Sequence, residues 1–296
     1  MISPDRRRDM RAEVLLLAAV VIWAANYPVS KFGITRLNIF VFNGIRYLVA
    51  SLVLTAFFVA KQNWKPIDRS DRARLLQAGL VAHVLYQVAF IIGLSMTTAG
   101  NSAVLLATAP LWTIFIHARL RKEKILSQMW AGMILSLCGV VMIIVGSGKR
   151  VWLGSEALIG DLICVTAAML WGLNTNLQKP LLSHYSTFQL ALVMIIVGAV
   201  GLCLIAIPPA MTLEWGSIHW SYYAAAVGSG VFSIAAGNVF WSNGVKRFGP
   251  GKTANFGNLI PVLAFIISYF MLDEQLFGVQ FLGAAVTVVG VWIARR

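Results

Sequence analysis

The sequence predicts an all-α integral membrane protein whose ten transmembrane helices form two inverted five-helix repeats around a central cavity. Three observations predict it. The 296 residues are 59% hydrophobic and only 12% charged, with a mean hydropathy of +0.78, whereas soluble domains carry about 25% charged residues. The apolar residues gather into ten runs close to the ~20 residues that a spanning helix needs. Two sets of residues also recur between the halves at fixed offsets.

The runs lie near 14–33, 38–60, 74–95, 98–118 and 127–147, then 157–178, 187–207, 221–243, 251–272 and 276–294. They divide the chain into a first repeat, 1–150, and a second, 151–296. The first run follows Arg6, Arg7, Arg8 and Arg11 and contains Ala24 and Ala25, the ingredients of a signal peptide. Nine further spans mark it instead as a retained helix. The widest connection, roughly a dozen residues between spans 2 and 3, is far below domain size. Function is therefore expected within the bilayer.

A formal net charge of +13 raises nucleic acid as a partner, but the basic residues punctuate hydrophobic runs instead of forming a soluble patch. With the N-terminus in the cytoplasm, 19 of the 24 Lys and Arg fall on the cytoplasmic side, and only Lys31, Arg36, Lys149 and Arg150 on the other, with Arg46 inside span 2. The positive-inside rule places both termini in the cytoplasm of a bacterial inner membrane. Cys138, Cys164 and Cys203 all sit in apolar stretches and offer no disulfide framework and no paired metal ligands. No metal, cofactor or catalytic residue is expected.

Span 1 reads Trp23-Ala-Ala-Asn26-Tyr-Pro-Val-Ser-Lys31 and span 6 reads Trp171-Gly-Leu-Asn174-Thr-Asn-Leu-Gln-Lys179, so Trp, Asn and Lys recur at one offset. Gly100, Pro110, Glu123, Gly132 and Gly139 recur as Gly251, Pro261, Glu274, Gly283 and Gly290 at another. An odd number of spans per repeat makes the second enter the membrane upside down relative to the first, which is the symmetry secondary transporters use.

The same residues, with Arg46, the run Ala99-Gly100-Asn101-Ser102-Ala103 and Gly160-Asp161, resemble the EamA-like branch of the drug/metabolite transporter superfamily over nearly the whole chain. Within it the chain most resembles the YddG-type exporters. That resemblance implies ten helices, a basket-like cavity and export of aromatic and other neutral amino acids.

Polar side chains are costly against lipid, so polar faces mark the bundle interior. Trp23, Asn26, Tyr27 and Ser30 share one helical face, and Trp171, Asn174 and Gln178 repeat it in span 6. His83, Tyr86 and Gln87 share a face of span 3; Asn101, Thr108 and Trp112 of span 4; Asn238 and Trp241 of span 8; Asn255 and Asn258 of span 9. Trp112 and Trp241 are equally readable as interfacial anchors, and the asparagines as glue between helices. Lys31 and Lys179 stand at span ends, placed to snorkel to headgroups or to hold a substrate carboxylate. Arg46 is favoured as a structural pin. Pro28, Pro110 and Pro261 are read as bends, and Glu123 and Glu274 as caps at helix starts. Gly132 with Gly139 and Gly283 with Gly290 make spans 5 and 10 close-packing helices, where a homodimer seam could form.

No Asp or Glu lies mid-span, which weakens a polyamine or cationic-drug carrier and a carboxylate-coupled proton carrier. Aromatic faces with amides suit a partly apolar, hydrogen-bonding molecule such as a neutral amino acid. His83 is the sole well-embedded candidate for a proton switch. The expectation is a secondary transporter that rocks its repeats about a midplane cavity, with a nucleotide-sugar or cationic drug carrier of the same superfamily as the rival. An enzyme lacks its constellation, and a channel its charged ring or filter.

Overall fold

A computed structural model describes residues 4–59, 64–121, 127–146, 155–257, 259–273 and 277–294. Among these residues the secondary structure is entirely helical. The rods are α1 (Pro4–Gly33), α2 (Ile39–Val59), α3 (Arg69–Met96), α4 (99–121), α5 (Ser127–Val145), α6 (Glu156–Gln178), α7 (Thr187–Met211), α8 (220–257), α9 (Leu259–Leu272) and α10 (Gly278–Ala294). Seven of these rods, α1 to α4 and α6 to α8, contain stretches long and apolar enough to cross a membrane, and α5, α9 and α10 are shorter apolar helices. The chain is a multi-pass membrane protein.

Its surface is inside-out relative to a soluble fold. Val14, Leu17 and Val21 on α1, Leu48, Leu52 and Phe57 on α2, and Val200, Leu204 and Ile207 on α7 are exposed, while Asn26, Ser30, Asn43, Arg46 and Gln87 are buried. Lipid solvates the first set, and the second must be satisfied by protein.

Helix starts carry side-chain caps for donors that a helix leaves unpaired. Thr98 Oγ1 accepts from the Asn101 amide at 3.1 Å, Ser155 Oγ from Leu158 at 3.3 Å and Ser186 Oγ from Gln189 at 3.1 Å. Lys31 Nζ closes the C-terminal end of α3, donating to the carbonyls of Leu94, Ser95 and Thr97 at 2.7, 3.0 and 2.6 Å. That contact corrects the snorkelling expectation for Lys31. The ammonium finds the negative end of a helix dipole within the protein.

One proline also differs from expectation. A turn at Ala107 and Thr108 divides α4 into Ala99–Leu106 and Ala109–Arg121, so Pro110 stands in the first turn of the second piece. Pro110 begins a helical piece, where the missing N–H costs nothing, instead of bending one. Pro261 lies three residues beyond Asn258, which is outside the described residues. Residues 251–257, read from the sequence as the start of span 9, continue the helix Asn238–Gly257. Glu123 and Glu274 lie outside the described residues.

The helices pair as α1 with α8 and α9, α6 with α3 and α4, α2 with α7, and α5 with α10. The most extensive contact joins α5 to α10. A Cβ on Gly139 would run into Thr287 and the Gly283 carbonyl, and one on Gly290 into Ser136 and the Gly132 carbonyl. The glycine faces are thus closed on each other within one chain, and a homodimer could not use them without opening this seam.

Candidate functional site

The face of α1 predicted to point inward does so, and it meets rings from three other rods. Trp23 lies 5.1 Å from Trp241 on α8, ring centre to ring centre, and 6.4 Å edge-on from Trp171 on α6. Trp171 continues to Tyr86 on α3 at 5.0 Å, Tyr86 stacks on Phe90 at 6.1 Å, and Phe90 meets Tyr27 edge-on at 5.7 Å. The chain of rings starts and ends on α1. Such offset and edge-to-face contacts are favourable by about 0.5–1.5 kcal/mol each.

Local backbone geometry places these rings. Ser229–Gly237 of α8 is a π-helical segment, and the Ser233 carbonyl accepts from Trp23 Nε1 at 3.0 Å. Gly237 gives the indole room, since a Cβ there would meet Nε1. A second π-helical segment, Leu80–Leu85 in α3, immediately precedes Tyr86. Segments of this kind often occur at functional sites because they re-aim side chains and loosen the carbonyl ladder.

One helical turn along α1 from Trp23 is a polar layer. Asn26 Oδ1 accepts from Ser229 Oγ, from Ser30 Oγ at 3.3 Å and from the Arg46 guanidinium at 3.5 Å. Arg46 also donates to Asn43 Oδ1 at 2.8 Å, and Asn43 Nδ2 donates to the Gln87 carbonyl at 3.1 Å. Phe42 and Phe90 flank the guanidinium at 5.6 and 6.0 Å. A buried cation between amides and rings, with no carboxylate paired to it among the described residues, is the main electrostatic feature of the site.

Other predicted residues take different places. His83 is hydrogen-bonded to Tyr47 at 2.9 Å, packed where a Cβ on Gly198 of α7 would meet it. It joins α2, α3 and α7. Asn174 accepts from Gln178 at 2.7 Å, and Asn238 returns a bond to Ile234 of its own helix at 2.7 Å. Trp112 donates to Thr108 at 3.3 Å, beside the close approach of α4 to Gly172. Asn101 accepts from Gln280 at 2.8 Å, tying α4 to α10. The Asn255 side chain and Asn258 lie outside the described residues. Sequence reasoning missed Asn43, Phe90 and Ser229. Asn43 carried a usable signal, since it stands one turn before Arg46.

The two ends of the bundle differ. At one end, the connection after α2 is bound to that after α6. Gln189 exchanges hydrogen bonds with the Lys65 backbone at 3.2 and 2.6 Å, and Asp71 accepts from Tyr185 at 3.0 Å and contacts His184 at 2.9 Å. Burial raises the Tyr185 phenol above its ordinary pKa, which keeps it a donor. On that side a cleft of about 460 Å³ lies between α1 and α8, lined by Asp9, Glu13, Arg247, Phe248 and Phe256. At the other end a cleft of about 610 Å³ opens between the connections after α1 and α7, lined by Arg36, Glu214, His219 and Tyr222 among others.

The profile of the EamA-like transporter family matches residues 10–145 and again 158–296. The chain belongs to the EamA-like transporter family. The double match puts one family unit in each half. An uncharacterised transporter of Bacillus subtilis, YetK, is 26% identical, covering 97% of this chain and 87% of its own. A probable amino-acid metabolite efflux pump of Escherichia coli is 27% identical, covering 95% and 93%. A probable terminal-alkyne amino-acid exporter of Streptantibioticus cattleyicolor is 25% identical, covering 95% and 92%. A crystal structure covering 96% of both chains superposes with a TM-score of 0.67 at 17% identity, a likeness of fold. Family and relatives are transporters, not enzymes, and this EamA-like transporter joins them as a membrane carrier.

Proposed function

We propose that this transporter exports small neutral amino acids, aromatic ones among them, from a bacterial cytoplasm by alternating access. The observation that carries the reading is the ring of Trp23, Trp171, Trp241, Tyr86, Phe90 and Tyr27 set against the amide layer of Asn26. An apolar wall with a few placed polar groups suits an amphipathic small molecule. Two of the relatives above carry names that specify amino-acid efflux or export.

In this reading ten helices span the inner membrane as two inverted halves with both termini cytoplasmic, on the positive-inside count. The pairing supports the symmetry: exchanging the halves turns α1 with α8 into α6 with α3, turns α1 with α9 into α6 with α4, and leaves α2 with α7 and α5 with α10 unchanged. The clefts at opposite ends are then the two mouths, opened in turn as the halves rock about the aromatic site.

Of the rival readings, a nucleotide-sugar carrier and a cationic drug or polyamine carrier, the second differs in charge. A cation leaving water needs a carboxylate partner, and the cluster borders a buried Arg46 instead. Counterflow into proteoliposomes discriminates amino-acid from cation transport, with labelled Phe, Trp, Thr and Met against a polyamine and a lipophilic cation, with and without a pH gradient. Trans-stimulated amino-acid uptake indifferent to pH is expected. Uptake of the cations alone would sink the substrate class, and uptake requiring the gradient would replace facilitated export with proton coupling.

A further inference from the structure

Arg46 is 1% exposed and sits in a helix that faces lipid on its other side. Its described hydrogen bonds go to two neutral amide oxygens, Asn43 Oδ1 and Asn26 Oδ1, and its Nε has no partner. A guanidinium in a low-dielectric interior without an anion is held at a cost. A purely structural pin between α1 and α2 would be served as well by a neutral amide. The second observation is an orphan of the opposite kind. Gln87 is 6% exposed, its Oε1 has no donor, and its backbone carbonyl is bound by the same Asn43 that binds Arg46. One unfilled donor and one unfilled acceptor thus flank Asn43, next to Phe90 and, through it, the aromatic chain.

We infer that Arg46 is the anchor for a free carboxylate on the transported molecule, with Gln87 Oε1 receiving the ammonium of a zwitterion. This deepens the amino-acid reading of the same site and gives it a selection rule. Arriving carboxylate displaces the weak 3.5 Å contact to Asn26 and forms the paired, charge-assisted bonds for which a guanidinium is shaped. Asn26, released, stays bound to Ser229 and Ser30. The apolar end of the molecule then lies toward Tyr86 and Trp171. Such an anchor rejects an amide of the same shape, because the buried charge would again be left unpaired.

The test is competition against labelled phenylalanine in counterflow by phenylalanine, 3-phenylpropionate, phenylalaninamide and 2-phenylethylamine, in the wild type and in Arg46→Gln and Arg46→Lys. Expected in the wild type is inhibition by the two carboxylates and at least tenfold weaker inhibition by the amide and the amine. In Arg46→Gln that preference collapses to within about twofold, and Arg46→Lys keeps part of it. Equal inhibition by acid and amide in the wild type overturns the inference while leaving amino-acid transport standing, and so does an intact acid preference in Arg46→Gln. The wild-type comparison decides alone if the variants do not fold. Should no amino acid be transported at all, the amino-acid reading fails separately. Thermal stabilisation of the purified protein by 3-phenylpropionate but not by 2-phenylethylamine, lost in Arg46→Gln, would then keep the anchor, and no such stabilisation would remove it.

Discussion

Trp23 shows what a single side chain contributes to this site. It touches two rings and spends its one donor on Ser233, so it is both wall and brace. Trp23→Ala is expected to lower counterflow of an aromatic amino acid up to roughly tenfold, the loss of one ring contact to the substrate at about 0.5–1.5 kcal/mol. Trp23→Phe should be milder, keeping a ring while releasing the carbonyl. Trp171→Ala should resemble Trp23→Ala, because Trp171 links Trp23 to Tyr86. Equal transport by Trp23→Ala and wild type, at matched amounts of folded protein, would show that the ring chain is packing alone. The inward face of span 1 was legible from spacing, since Trp, Asn, Tyr and Ser at helical intervals have one explanation in a membrane helix. The partners of Arg46 were not. Asn26 lies 20 residues away in sequence, and nothing in spacing says which of several buried acceptors a long side chain will reach.

At the scale of the element, the π-helical segments and the helix starts separate what sequence can announce from what it cannot. Capping residues Thr98, Ser155 and Ser186 follow a readable rule. Ser229–Gly237 carries no local mark of its widened turn, and the indole that its Ser233 carbonyl receives comes from a rod more than 200 residues away in sequence. Gly237→Ala is expected to displace the Trp23 indole and cut transport several-fold, whereas Gly228→Ala, where an added Cβ meets nothing within 4 Å, should leave it unchanged. Paired counterflow assays, with tryptophan emission to follow the indole, make the comparison. Identical behaviour of the two variants would remove the packing explanation. Pro110 carries the complementary lesson: the residue identifies a discontinuity, but only the backbone on either side says whether it is a bend or a beginning.

Across the whole molecule, the repeated glycines were the most informative pattern in the sequence, because equal spacing in both halves demands a shared close approach. Which surfaces approach was open, and the answer is each other. Gly139→Leu and Gly290→Leu should each force α5 from α10 and lower the thermal midpoint in detergent by several degrees, overpacking at a backbone contact costing about 1–3 kcal/mol or more. Unchanged midpoints in both would mean the seam is slack. The same seam also sets a schedule for biogenesis. Its two sides are residues 127–145 and 278–294, and at about 5–20 residues per second of synthesis the first waits roughly 7–30 s for the second. During that interval α5 presents a bare glycine groove to lipid and to any helix of the insertion machinery. Chains lacking Gly278–Ala294 should therefore be recognised as unfinished and degraded markedly faster than the full chain in a pulse-chase. Equal lifetimes would show that the groove is shielded in some other way while α5 waits.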